Sequence, residues 1–354
     1  DFYEMFFEDA LVASKELEIT LTGRDCGMEE RAPMCGVPYH ACDTYLNRLI
    51  EKGYKVAICE QVEDKSQAKG IVRREVIRVV TPGTNMCAGI LDESKNNYLM
   101  SICGVDQLYG ISTVDITTGD FKTCQVYGTE KVIDEINKFM PAEIIGNDAF
   151  LISGIDIDYL RERLHISVSV IEPWYFDEDM CINLLKSHFS IGDISGIGLK
   201  DYPVATISSG ALLKYLYETQ KSSLTHLNKL HPYSVEEYMI IDSSSRRNLE
   251  LCETLRDKTK RGSLLWVLDK TKTAMGARLL REYIEQPLIS KEKIEERFDA
   301  IEALNSDMIT REEIREYMHP IYDLERLMGR VSLRTANPRD LIAFKTSIEL
   351  LPHI

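Results

Sequence analysis

The chain has 354 residues, of which 44% are hydrophobic and 28% are charged, so a folded chain is expected and wholesale disorder is excluded. At roughly 100–200 residues per domain, this length predicts two or three domains. No apolar run is long enough for a membrane-spanning helix, and a net charge of −15 disfavours nucleic acid as a partner of the chain taken as a whole.

The first ninety residues are predicted to form a small α/β domain. Apolar periodicity and Val/Ile-rich runs predict two helices and then two strands, at 4–17, 40–52, 54–61 and 72–81. A short extended piece at 33–38 lies between the helices, after a loop. The turn at Pro82-Gly83 closes the last strand, and we place the domain at residues 1–90.

Residues 91–225 are predicted to form a second domain around a mixed sheet. Three β-like runs separated by turns predict an antiparallel meander, at 97–105, 109–116 and 121–127. Helices and strands alternate after it, at 129–139, 142–145, 166–171, 178–189 and 209–220. Three antiparallel strands followed by β/α units is the layout of ribonuclease H-like folds, with a mixed sheet covered by helices.

The remaining residues, 226–354, are predicted to be helical after one short strand at 239–242. Helical periodicity recurs near 263–269, 273–285, 291–304, 309–318 and 323–331. Asn337-Pro338 is a favourable start for a last helix. The predicted fold class is therefore α/β plus α, and the helical region is expected to be partial, because the chain reads as a piece of a longer protein.

The sequence carries no recognisable catalytic or metal-binding motif. Nine cysteines are scattered without a C-x-x-C pair or zinc spacing, which predicts free thiols in a reducing cytoplasm. There is no Walker A motif (G-x-x-x-x-G-K-[ST]), no G-x-G-x-x-G after a strand, no G-x-S-x-G and no H-E-x-x-H. We therefore expect no cofactor, no metal and no enzyme activity in this chain.

Basic residues are concentrated in two places although the chain is acidic. Residues 65–78 hold five basic groups and only Glu75 as an acid, and residues 241–281 hold ten basic groups against five acidic ones. Residues 81–240 carry the acidity, with 22 acidic and 11 basic groups. A basic run is most often a solvated face, so charge alone does not assign either cluster to nucleic acid.

A nuclease is one alternative function. A ribonuclease H-like nuclease needs several carboxylates that converge on two Mg²⁺ ions, and the meander offers Asp106, Asp115 and Asp120. Two of them, Asp106 and Asp120, lie at predicted turns, where Asp is favoured for backbone reasons. A metal-dependent nuclease centred on Asp106 and Asp115 remains open at this stage.

The first residues pair a large apolar ring, at an end position with little reason to be buried, with a carboxylate. Phe2 and Glu4 precede the predicted helix, and their simplest interpretation is a hydrophobic staple with a first-turn acid. A wider pattern favours another interpretation. The run Asp1-Phe2-Tyr3-Glu4-Met5-Phe6 resembles the mismatch-recognition motif of the bacterial MutS family of DNA mismatch-repair proteins.

Further stretches agree with this resemblance along the whole chain. They are PMCGVPYH at 33–40, VAICEQ at 56–61, RVVTPGT at 78–84, DITTG at 115–119, RRNLE at 246–250, TAMGAR at 273–278, QPL at 286–288 and LRTANPRDL at 333–341. One loop departs from it, because Lys65-Ser66-Gln67 stands where the family usually has Pro after an acidic residue. The resemblance implies a mismatch-binding domain, a ribonuclease H-like connector and the start of a helical core.

The resemblance also implies roles for residues and partners. Phe2 would enter the minor groove of mismatched double-stranded DNA as a wedge, and Glu4 would hydrogen-bond the wedged base. Arg74 matches a family position close to DNA, and the expected contacts to the DNA backbone are Lys69, Arg73, Arg74 and Arg78. Alternation along 72–81 predicts that Arg74 and Arg78 share one face of the strand and that Arg73 lies on the other.

For the full-length protein the resemblance implies an ATPase, which uses ATP and Mg²⁺ through a C-terminal domain absent from this chain. It also implies a homodimer and a MutL-type partner that docks on the connector. The expected location is the bacterial cytoplasm, in association with the nucleoid. No membrane is expected as a partner. A third interpretation is that this chain contacts DNA only together with the dimer partner and further domains.

Overall fold

The computed structural model describes residues 2–27, 30–63, 72–86 and 91–353. The chain divides into two units, one formed by Asp1–Ile90 with Glu218–Lys221 and the other by Leu91–Tyr217 with Ser222–Ile354. The change of unit falls at residue 90, and the predicted domain boundaries near 90 and 225 stay predictions. None of the described helices is long and apolar enough to cross a membrane.

The first unit contains a three-stranded antiparallel sheet, two helices and a separate hairpin. Its elements in chain order are β1 (Phe2–Phe6), α1 (Phe7–Leu17), β2 (Thr22–Arg24), β3 (Ala32–Pro38), α2 (Cys42–Glu51), β4 (Val56–Gln61) and β5 (Arg74–Val80). The sheet order is β1-β3-β2, and β4 pairs with β5 in a sheet of their own. The second helix, the extended piece and the two later strands are confirmed.

The predicted start of the first helix is wrong. Residues 2–6 form a strand that pairs antiparallel with β3, and α1 begins only at Phe7, whose φ of 53° marks the break between the two elements. Tyr3 and Met5 pack on the same apolar cluster as Ala10 and Leu17. Because alternate residues of β1 enter that cluster, strand pairing prevails over the helical spacing. The staple interpretation of Phe2 and Glu4 is therefore also wrong.

The second unit is built on a six-stranded mixed sheet. Its first elements are β6 (Leu99–Val105), β7 (Leu108–Asp115), β8 (Asp120–Tyr127), α3 (Thr129–Phe139), β9 (Glu143–Gly146), α4 (Asp148–Leu151), α5 (Ile157–Glu162), β10 (Ser167–Val170), α6 (Glu178–Phe189), α7 (Pro203–Gln220) and β11 (His231–Pro232). The strand order is β10-β9-β6-β7-β8-β11. The meander β6-β7-β8 is antiparallel and the other pairings are parallel, which gives the predicted mixed sheet, although β11 was not among the predicted strands.

Helices make up the rest of this unit. They are α8 (Ser243–Asn248), α9 (Leu264–Leu268), α10 (Ala274–Glu285), α11 (Lys291–Ser306), α12 (Met308–Met318), α13 (Leu324–Ser332) and α14 (Pro338–Leu350). Asn337 caps α14 through a capping box with Asp340, as expected. The strand predicted at 239–242 is wrong, since these residues lie outside any strand and only Tyr238 forms an isolated bridge, with Leu288. The α/β plus α fold class is confirmed.

Two buried arginines tie the helices to the segment that precedes the sheet. Arg278 of α10 donates to Asp323 at 2.6 and 2.8 Å and to the Glu93 carbonyl at 2.9 Å. Arg326 of α13 donates to the carbonyls of Asp92 and Lys95, at 3.1 and 2.6 Å. The Asp323 and Glu325 carboxylates hold the pKa of Arg278 above its ordinary value against the opposing effect of burial. These bonds join the sheet and the helices within the second unit.

We expect Gly110→Ala to destabilise the second unit. A Cβ at Gly110 on β7 would lie 2.1 Å from the Val204 carbonyl oxygen of α7, so the helix would have to move away from the sheet. Overpacking of this kind costs about 1–3 kcal/mol in the free energy of unfolding. Urea denaturation followed by circular dichroism measures it. Gly192→Ala is the matched control, because nothing lies within 4 Å of its Cβ; equal stability of the two variants would contradict the expected clash.

Candidate nucleic-acid interface

Strand β1 presents Phe2 and Glu4 on its open face. The pairing of Glu4 with Gly36 of β3 places Phe2, Glu4 and Phe6 on one side of the sheet and Tyr3 on the other. The Phe2 side chain is 65% exposed. A Cβ at Gly36 would lie 3.1 Å from the Tyr3 carbonyl oxygen, so glycine allows the close approach of the β1 backbone, whereas its 3.7 Å distance to the Phe2 ring would be an ordinary contact.

Glu4 forms an ion pair that the sequence analysis did not identify. Arg24 of β2 donates from Nη1 to Glu4 Oε2 at 2.7 Å, and its guanidinium lies 5.9 Å from the centre of the Phe6 ring. The two side chains are 54% and 40% exposed. An exposed pair contributes at most about 1 kcal/mol, so Glu4 can exchange Arg24 for another donor at little cost. Arg24 lay in a predicted loop, where strand alternation gave no signal.

Tyr3 anchors the other face of β1. Its hydroxyl donates to Glu60 of β4, and its ring stacks on Tyr39 with 5.5 Å between centres and 23° between planes. Burial raises the pKa of the Tyr3 hydroxyl well above its ordinary value, and the hydrogen bond to Glu60 raises it further. Tyr3 therefore stays neutral and links β1 to the β4–β5 hairpin while its neighbours Phe2 and Glu4 face outward.

A β-bulge decides which arginines of β5 face outward. Ile58 pairs with Arg78 but the next residue, Cys59, pairs with Val76, so Ile77 has no partner in β4. The shift moves Arg74, which pairs with Gln61, to the exposed face and Arg78 to the inner face. The prediction that Arg74 and Arg78 share a face is wrong, because an unpaired residue breaks the two-residue alternation.

The other predicted cations do not share one environment. Arg78 lies close enough to Cys42 for its charge to lower the pKa of that thiol, against the larger effect of burial. Arg73 donates to Glu75, and its backbone N–H donates to Glu63 at 3.2 Å. Lys69 falls outside the described residues. Of the four predicted backbone contacts, Arg74 alone lines the same cleft as Phe2 among the residues that the structure describes.

Phe2, Glu4, Arg24, Gln61 and Arg74 line one cleft of about 940 Å³ within the first unit. An aromatic ring, a carboxylate and two guanidinium groups thus border a single concave surface. A ring can stack on a base, a carboxylate can accept a hydrogen bond from a base, and guanidinium groups can bind phosphate. The cleft therefore brings together three of the predicted site residues and adds Arg24 to them.

The two carboxylates of the proposed nuclease do not meet. Asp106 lies in the turn between β6 and β7, whereas Asp115 is the last residue of β7. The eight residues of that strand hold them apart, by roughly 23 Å at about 3.3 Å per residue. Asp115 is fully buried and accepts hydrogen bonds from Thr117 and from the Asn97 backbone. Burial raises the pKa of Asp115.

Within the described part of the chain, no group of three or more His, Cys, Asp or Glu side chains is placed to hold a metal ion. The nuclease hypothesis centred on Asp106 and Asp115 is therefore not supported. Asp115 has a structural role instead, because its carboxylate satisfies backbone N–H groups at the end of β7.

Comparison with known proteins matches three family models along the chain. They are MutS domain I at residues 1–88, MutS domain II at residues 97–228 and MutS domain III at residues 244–354. These matches cover most of both units.

Curated relatives match over the full chain. The protein named DNA mismatch repair protein MutS of Lachnoclostridium phytofermentans is 63% identical, and those of Ruminiclostridium cellulolyticum and Alkaliphilus oremlandii are 54% and 48% identical. Each match covers 100% of this chain but 38%, 40% and 41% of the respective relative. The chain thus spans about two fifths of the length of these relatives.

Proposed function

Because this chain belongs to the MutS family of DNA mismatch repair proteins, we propose that its first unit recognises and binds mismatched or unpaired bases in double-stranded DNA. The observation that carries the proposal is the presentation of Phe2 and Glu4 on the open face of β1. Phe2 is exposed although its neighbour Tyr3 is anchored in the protein, so the ring is held ready for a partner outside the chain.

Phe2 acts as a wedge at a minor-groove step. Stacking of a base on an aromatic ring contributes about 1–3 kcal/mol and requires no particular base, which suits a detector of many mismatches. Opening a step costs a few kcal/mol and kinks the duplex. A mismatched step has already lost part of its pairing, so the opening costs less there. Specificity then comes from deformability of the DNA more than from reading base edges.

Glu4 supplies the selective contact. A carboxylate accepts a hydrogen bond from the ring N–H of an unpaired base, whereas the phosphates of any duplex repel it. In the free protein Arg24 compensates the charge of Glu4. On binding, the base replaces Arg24 as donor, and the guanidinium group becomes available to a phosphate. A matched base keeps its N–H in its own pair, so it leaves the repulsion uncompensated.

Arg74 positions the DNA backbone. It is exposed on the outer face of β5 and lines the same cleft as Phe2. A phosphate contact of this kind adds affinity without sequence preference and makes binding depend on salt. The proposal gives Arg78 a structural role, because it lies on the inner face of the hairpin.

We propose that the second unit serves as a connector domain and as the docking surface for a protein partner. The meander and the β/α units after it have the layout of a ribonuclease H-like connector, and residues 81–240 carry twice as many acidic as basic groups. An acidic surface is repelled by DNA and suits a protein partner, for which we propose a MutL-type protein. For the full-length protein we propose a homodimer, an ATPase with ATP and Mg²⁺ outside this chain, and a nucleoid-associated place in the bacterial cytoplasm.

We expect Phe2→Ala to abolish the preference for a G·T heteroduplex over its matched homoduplex, with a loss of about 1–3 kcal/mol on the heteroduplex only, because the stacking partner is removed. Fluorescence anisotropy at one stated salt concentration measures both duplexes. Tyr127→Ala is the control, since Tyr127 is a similarly exposed ring of the second unit. A wild-type chain without preference would mean that this chain alone does not sense mismatches.

We expect Glu4→Gln to keep heteroduplex binding and to strengthen homoduplex binding, so that discrimination falls. The amide still offers an oxygen acceptor to the base but removes the negative charge that disfavours matched DNA. The ratio of the two dissociation constants, measured in the same assay, gives the result. Equal loss of affinity for both duplexes would show that Glu4 acts only on the structure of the sheet.

We expect Arg74→Gln to weaken binding to both duplexes and to reduce the slope of log K against log salt by about 0.9, the value for one phosphate contact. Arg78→Gln is the matched control, because Arg78 is four residues away on the same strand and faces inward. Anisotropy titrations at four salt concentrations measure the slopes. A lower slope for Arg78→Gln and an unchanged slope for Arg74→Gln would contradict the assignment of faces.

A further inference from the structure

The proposed mismatch binding does not use the basic run at 241–281, and part of this run borders a second cleft. This cleft of about 550 Å³ lies wholly within the second unit, between α3 and α5 on one side and α8, the segment after it and α10 on the other. Its volume falls within the range of about 300–1,000 Å³ that is usual for sites of small ligands. It is concave, whereas a DNA duplex needs an open surface.

The residues that line the cleft carry an excess of positive charge. Arg163, Arg247 and Lys258 line it, are exposed, and form no ion pair with any residue that the structure describes. Three carboxylates also line the cleft, but two are already compensated. Glu282 accepts from Lys122 at 2.8 Å and Glu285 from Arg281 at 3.3 Å, which leaves Glu253. In a chain of net charge −15, such a local excess favours an anionic ligand.

Two buried polar atoms of the lining residues have no hydrogen-bond partner among the described residues. They are Nε of Arg281, a donor, and Oδ1 of Asn96, an acceptor. Because both atoms are shielded from solvent, a ligand in the cleft would contact the exposed cations and not these two atoms.

The wall of the cleft is apolar. Tyr98, Phe139 and Leu251 line it and are buried, and the Tyr159 ring next to the cations is about half exposed. A ring or hydrocarbon part of a ligand would pack against this wall, while an anionic part would face the three free cations. An anionic part that faces these cations and an apolar part that packs on the wall together describe an organic phosphate.

We propose that this cleft binds an organic phosphate of nucleotide size. Phosphate oxygens contact Arg163, Arg247 and Lys258, and the ring of the ligand packs on the apolar wall. The chain has no phosphate-binding glycine loop, so this site would be independent of that chemistry. It is also independent of mismatch binding, since all of its residues lie in the second unit.

Isothermal titration calorimetry of this chain with ADP, inorganic pyrophosphate and adenosine tests the proposal. We expect saturable binding of ADP at one site per chain, weaker binding of pyrophosphate, and no binding of adenosine. Arg247→Gln and Lys258→Gln should each weaken ADP binding about tenfold, because each removes a charged hydrogen bond. Arg256→Gln is the matched control, since Arg256 lies between them in sequence, is 95% exposed and does not line the cleft.

Three results would overturn the proposal. The first is the absence of saturable binding by both ADP and pyrophosphate. The second is an equal loss of ADP affinity in Arg247→Gln and Arg256→Gln, which would mean that binding depends only on the overall charge of the chain. The third is displacement of ADP by a short matched duplex whose own binding falls with Arg247→Gln, which would assign the cations to DNA. Circular dichroism of each variant confirms that the fold is kept.

Discussion

The antiparallel pairing of β1 with β3 is the constraint on which the candidate interface depends. Successive residues of a strand must point to opposite faces, so pairing Glu4 with Gly36 sends Phe2 and Glu4 outward and Tyr3 inward. The same five residues therefore hold the strand in place and expose a ring that the unit does not bury. A helix at this position would spread these side chains around its axis and would not separate an anchored side from an open one.

Charge is balanced locally on a chain that is acidic overall. Glu4 beside DNA is unfavourable unless a cation is near, and Arg24 fills that role at 2.7 Å while both groups remain in contact with water. Exposure keeps the pair weak enough to open, since exposed ion pairs contribute little. In the second unit the ion pair of Arg278 is the opposite case, because it is buried. Arg278 is buried with Asp323, and breaking such a pair leaves an uncompensated buried charge, so it serves to join elements permanently.

Sequence periodicity predicted most of the fold but not the details of the interface. The meander, the β/α alternation and the helical region follow from patterns many residues long. The start of α1 was wrong because Phe6 and Phe7 fit both periods, and only contacts with β3 decide between them. The bulge at Ile77 and the bond from Arg24 to Glu4 depend on residues far apart in sequence, which no local pattern reports. The roles of Phe2 and Glu4 came from family resemblance and stay proposals.

The unpaired Ile77 also bears on how this hairpin can change in evolution. In a strand without a bulge, deletion of one residue turns every side chain on one side of the deletion to the opposite face of the sheet, because side chains alternate with a period of two residues. In β5 the extra residue absorbs that change. A chain that lost Ile77 would keep Arg74 opposite Gln61 and Arg78 opposite Ile58. One codon at this position is therefore dispensable to the orientation of both arginines, whereas a deletion at Val79 forces the bulge and the pairing to rearrange together.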